Sequence, residues 1–146
     1  MKKEPLVCSG RLARRLFCAA SLAAASVLLA PFAWAGSYLN RAALLVAQAS
    51  REANYLRARL TDRELARTVH KLAAARLKAA STMQVPKEVA PAHPHLLLML
   101  ENYERAADAA HGGQQERFFE FLTRARDEEG ILRGVLKQLG WPLPKA

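Results

Sequence analysis

Apolar residues at Leu39, Ala42, Val46, Ala49, Ala53, Leu56 and Leu60 recur at spacings of 3, 4, 3, 4, 3 and 4. This unbroken heptad seam predicts an amphipathic helix, with Ser37 placed to cap its start. The alanines on the seam permit close approach of a neighbouring helix, while Arg41, Arg51, Arg57 and Arg59 fall off it and should be solvated. Continuing the seam would bury Arg63 or Glu64, but the next apolar residue is Leu65. Thr61-Asp62-Arg63-Glu64 has the form of a capping box, with Thr61 capping the Glu64 amide and Glu64 reaching back. It predicts a tight turn between two helices. The alternative is one continuous helix to about residue 82, since no Gly or Pro enforces a break.

A second helix should bury Leu65, Val69, Leu72, Ala73, Leu77 and Ala80. Pro86, Pro91 and Pro94 make residues 85–94 a connector that cannot be helical throughout. A third helix is predicted from Ala92–His95, with Pro94 in its first turn. Its apolar positions are Leu96 to Leu100, Tyr103, Ala106, Ala107 and Ala110, and Gly112-Gly113 should end it. A fourth helix is predicted from about Gln114 to Leu139, with Phe118, Phe121, Leu122, Ala125, Leu132, Val135, Leu136 and Leu139 facing inward. Gly140 should stop it, and Trp141 should fold back over the bundle end. Four amphipathic helices with short links imply an all-α, antiparallel four-helix bundle running up-down-up-down.

The segment ahead of this pattern has a different character. Leu16 to Ala35 runs twenty residues without a charge, behind Lys2, Lys3, Arg11, Arg14 and Arg15, and ends in Ala33-Trp34-Ala35. That is the layout of an export signal with cleavage expected between Ala35 and Gly36. Pro31 should break the apolar helix and leave the site extended. An uncleaved anchor is the rival, because about 20 apolar residues can cross a bilayer. Arg14-Arg15-Leu16-Phe17 resembles the core of a twin-arginine signal, which exports folded proteins. Ala13 before the pair and Cys18-Ala19 after it depart from that pattern, and general secretion is the other route. The expected organisation is an export signal over 1–35 and one helical-bundle domain over 36–146. The expected location is the periplasm or cell envelope, with secretion as the alternative. Membrane contact is expected only through the N-terminal segment, if it stays uncleaved.

Removal of the leader changes the composition. Both cysteines, Cys8 and Cys18, precede residue 36, so the remaining domain has no disulfide, thiol nucleophile or thiolate ligand. Residues 36–146 carry 17 basic and 12 acidic side chains, a net +5 against +9 for the whole chain. Residues 86–146 hold eight basic and nine acidic side chains, and residues 36–85 nine and three, so the excess lies in the first two helices. Either the basic half packs beside the acidic half of the same domain, or it offers a cationic face to an anionic partner.

Candidate chemistry is sparse. The fourth stripe needs an inward residue at 128 or 129, and both are glutamate, so one should border the core. A buried carboxylate must be paired, protonated or metal-bound. Bundle di-metal sites use Glu-x-x-His pairs, and this chain has none. Asp108-x-x-His111 is a single shorter substitute, and His93-Pro94-His95 and His70 stand apart from it. Glu128, Glu129, Asp108 and His111 are therefore the candidate metal ligands. There is no Cys-x-x-Cys-His, no Gly-x-Ser-x-Gly and no Gly-rich phosphate loop. Phe119 lies about 100° from Phe118 on the helix and is the aromatic expected to be exposed.

These observations predict an exported, non-enzymatic bundle acting as a binding or interaction module, with no cofactor. Arg51, Arg57, Arg59, Arg63, Arg67 and Lys71 are the expected surface for an anionic envelope component or a protein. Nucleic acid is not expected as a partner. The alternative is a metal-binding or redox bundle using Glu128 or Glu129 with histidines. A third reading is carriage of an apolar ligand in the core.

Overall fold

Four α-helices account for most of the described backbone in a computed structural model, which describes residues 12–145, with side chains from residue 35 onward. They are α1 (Leu12–Arg57), α2 (Arg63–Ser81), α3 (His93–His111) and α4 (Gln115–Gln138), with a 3-10 turn at Lys87–Ala92 before α3. No strand occurs among the described residues. Packing divides the chain into two units, Met1–Ala33 and Trp34–Ala146, and the second is an all-α four-helix bundle. The export reading falls on residues 1–11, which lie outside the described residues, and on 12–34, whose side chains do.

The α1 seam is buried as its spacing predicts, at Leu39, Ala42, Val46, Ala49, Ala53 and Leu56. It begins four residues earlier, at Ala35, and adds Tyr38. Two expectations fail at its start. α1 runs through Pro31 without a break, and Ser37 lies inside the helix instead of capping it. Pro31 removes one backbone hydrogen bond, and the turns on either side carry the helix across it.

α1 and α2 are separate helices. Arg59 N–H donates to Leu56 O at 2.9 Å and Asp62 N–H to Arg59 O at 3.0 Å, which folds the chain back tightly. The cap is Asp62, not Thr61: its Oδ1 accepts from Leu65 N–H at 2.9 Å. A carboxylate at the cap also meets the positive end of the helix dipole. α2 buries Ala66, Val69, Ala73, Arg76 and Ala80, again spaced 3, 4, 3, 4. The buried stripe is thus turned away from Leu72, which is 49% exposed.

α3 packs against α2, α4 and the 3-10 turn. Its buried arc is wide because it has neighbours on several sides, taking in Leu96, Met99, Leu100, Tyr103, Ala106, Ala107, Ala109 and Ala110. Both later helix ends are Schellman caps. After α3, Gln114 N–H reaches Ala109 O at 2.8 Å and Gly113 N–H reaches Ala110 O at 3.0 Å, with Gly113 at φ 74°. After α4, Trp141 N–H reaches Leu136 O at 2.9 Å and Gly140 N–H reaches Lys137 O at 3.1 Å. The second cap returns Trp141 and Leu143 to the core, as the sequence predicts for Trp141. Arg63 and His111 meet at one pole, and Tyr38 and His93 at the other, so the helices alternate in direction.

Candidate functional site

Four sequence-adjacent or closing helix pairs of the bundle each carry a polar clip. Between α1 and α2, Arg76 Nη2 donates to Glu52 Oε1 at 2.5 Å. Between α2 and α3, His70 Nε2 meets Glu104 Oε1 at 2.7 Å. Between α3 and α4, His95 Nδ1 meets Glu128 Oε2 at 2.9 Å. Between α4 and α1, Arg126 Nη2 donates to Asn54 Oδ1 at 3.1 Å. Such groups set helix register more than they add stability, because desolvation offsets most of their attraction.

Arg76–Glu52 is the most enclosed of these clips. The Arg76 side chain is 7% exposed and that of Glu52 28%. Glu52 Oε2 is buried with no partner among the described residues. It borders a cavity of about 10 Å³ lined chiefly by Ala49, Ala53, Val69, Ala73, Tyr103 and Phe118. That space has room for roughly one water. Tyr103 lines this cavity and is itself buried. Burial raises its pKa, the nearby Glu129 charge raises it further, and a hydrogen bond from Ser50 with the charges of Arg126 and Arg133 pulls the other way.

At the pole near residue 36, the Tyr38 hydroxyl lies 3.0 Å from His93 Nδ1, with the rings edge to face. Burial pushes the Tyr38 phenol up to about 12 and pushes the His93 imidazole below its usual value. Both groups are neutral near pH 7, so Tyr38 O–H donates to Nδ1 and the imidazole proton sits on Nε2. The contribution of His93 to stability is therefore complete above its unfolded value near 6.5 and is lost as pH falls through its lower folded value. Nitrogen NMR of the ring should show His93 titrating below the free-histidine midpoint in the folded protein, and Tyr38→Phe should change its chemical shifts while leaving the bundle folded. A midpoint at or above that of free histidine would contradict the assignment.

The candidate metal ligands are dispersed. Glu128 is engaged by His95, and Glu129 by Arg133 at 2.8 Å. Asp108 lies 3.8 Å from His70 Nδ1, on the other ring nitrogen from Glu104, so the two carboxylates approach different atoms of one imidazole. His111 Nδ1 faces Arg63 O at 3.4 Å. No group of three or more potential ligands converges among the described residues.

The basic residues Arg51, Arg57, Arg59, Arg63, Arg67 and Lys71 are all exposed. They do not form one face. Arg51 and Arg57 diverge by about 120° around α1. Arg59 lies in the turn, its guanidinium 4.1 Å over the Tyr55 ring. On α2, Arg63, Arg67, Lys71 and also Lys78 fall within an arc of about 80°. Six of the twelve side-chain carboxylates over residues 36–146 meet a basic side chain at 3.0 Å or less: Glu101 with Arg105, Glu120 with Arg124, Glu129 with Arg133, and Glu52, Glu104 and Glu128 in the interface clips. None of the four α2 cations is paired with a carboxylate among the described residues.

No known protein family, curated protein or solved structure matches this chain at a significant level.

Arg76 and the Tyr38–His93 pair are the features that sequence reading misses. Arg76 carries a signal, since it falls at the 3-4 spacing of Val69, Ala73 and Ala80. A full-length cation on such a stripe calls for a carboxylate on the facing helix, and Glu52 is the acidic residue of α1. Tyr38–His93 joins residues 55 apart in sequence and has no local signature.

Proposed function

We propose that this protein is an exported, non-enzymatic helical bundle that binds an anionic component of the cell envelope through the outer face of α2. The observation that carries this reading is the contrast within the charges. Glu52, Glu101, Glu120 and Glu129 are each held by an arginine and Glu104 and Glu128 each meet a histidine, whereas Arg63, Arg67, Lys71 and Lys78 form an exposed cationic stripe with no carboxylate partner among the described residues. Exposed cations of one sign on a rigid helix attract polyanions over about a Debye length, and the attraction falls with salt. The small enclosed volume beside Glu52 gives no comparable support to ligand carriage.

The test is retention of residues 36–146 on heparin and on vesicles carrying phosphatidylglycerol, titrated with salt. Each basic residue near an anionic membrane contributes about 1 kcal/mol. Changing Arg63, Arg67, Lys71 and Lys78 together to glutamine should lower low-salt affinity on the order of a hundredfold or more and flatten its salt dependence. Changing Arg105, Arg124 and Arg133, each already paired, should have a much smaller effect. Equal losses in the two sets, or no retention of the parent at low salt, would remove the reading.

A further inference from the structure

The expected scissile bond lies inside the folded domain. Ala35 and Gly36 belong to the bundle unit and to the interior of α1. Ala35 is 0% exposed and occupies the first position of the buried seam that continues through Leu39 and Ala42. Three residues beyond it, Tyr38 is 3% exposed and tied to His93 at 3.0 Å. Helical hydrogen bonding occupies the backbone around this bond. A protease acting here must seat the small Ala35 side chain in its own pocket and reach the carbonyl carbon. Both need the first turn of the bundle's α1 to unwind and Tyr38 to leave its contact.

We propose that closure of the bundle masks the Ala35–Gly36 bond, so that a signal peptidase removes the leader before the domain folds or does not remove it. The proposal rests on the export reading of residues 1–35. The step is a hydrolysis. Water adds across the amide, the Ala35 C–N bond breaks as a C–O bond forms, and the products are a carboxylate on Ala35 and an amine on Gly36. The order of events bears on the route. A chain threaded unfolded across the membrane presents this bond open, whereas a chain exported already folded arrives with it closed and keeps its leader.

The test exposes the full-length chain in detergent micelles to purified signal peptidase and reads the new N-terminus by mass spectrometry. Circular dichroism reports the fold. Phe118→Asp places a charge at a fully buried position and serves as the unfolded substrate. It should be cut after Ala35, and the parent should be cut at least about tenfold more slowly, because cleavage of a masked site follows the population of its open form. Tyr38→Ala, still helical, should fall between the two. Equal rates for the parent and Phe118→Asp would overturn the masking while leaving the export reading intact. No cutting of either would overturn the export reading and the proposal with it.

Discussion

Phe118→Ala is expected to cost about 3–5 kcal/mol, a large part of the 5–15 kcal/mol that stabilises a typical domain. Phe118 is 0% exposed and its ring borders the small cavity beside Glu52. The alanines lining that cavity have no side-chain length with which to close over the lost ring. The new void should therefore merge with the existing one and collapse little, which places the cost toward the upper end. Urea denaturation of residues 36–146 should show a lower midpoint with an unchanged slope. Phe119, packed edge to face on Phe118 at 5.2 Å but 46% exposed, provides the contrast. Phe119→Ala should cost under about 1 kcal/mol, since much of its area is already in water. Comparable losses at both positions would mean that the core is not where the burial places it.

Arg76→Ala is expected to cost about 2–3 kcal/mol. Removing one partner of a fully buried pair typically costs 3–5 kcal/mol, and the partial exposure of Glu52 reduces this by letting solvent reach the stranded carboxylate. The distinguishing measurement is a double-mutant cycle. Arg76→Met with Glu52→Leu removes both charges and fills the space with apolar atoms. It should recover most of the loss and could exceed the parent, because neither ion then has to be desolvated. Additive losses from the single and double changes would show that the two side chains act independently. The same double variant should form the bundle with less strictly fixed pairing of α1 and α2, if the clip acts mainly on register.

The sequence makes the α1 seam legible because its apolar residues are uncontested: every position on the 3-4 spacing from Leu39 to Leu56 is apolar and every one is buried. α2 is harder to read. Leu72 invites burial by its chemistry, yet the helix turns so that Ala66 and Arg76 face inward. The alanine is small enough to escape notice, and the arginine is hidden by its charge. Phase, which the whole helix must share, prevails over the preference of any one side chain. The turn at 58–62 is placed correctly by the loss of phase at Leu65, but its cap shifts by one residue because Asp62 is the better anchor for a helix N-terminus. Glu128 and Glu129 border the core as the fourth stripe requires. Glu128 meets His95 and Glu129 meets Arg133, while His70 pairs with Glu104 between α2 and α3. Tyr55, at 53% exposed, is a more open aromatic than Phe119, since it sits at the outer side of α1 beneath Arg59.

Alanine supplies 14 of the 28 buried apolar residues in the described part of the chain. The helices can therefore lie close, and cohesion comes from backbone proximity more than from bulky hydrocarbon. Unfolding such a core hydrates less apolar surface per residue than unfolding one built from leucine. Because that hydration sets the heat-capacity change, the stability curve of this bundle should be broad and shallow, changing gently with temperature on both sides of its maximum.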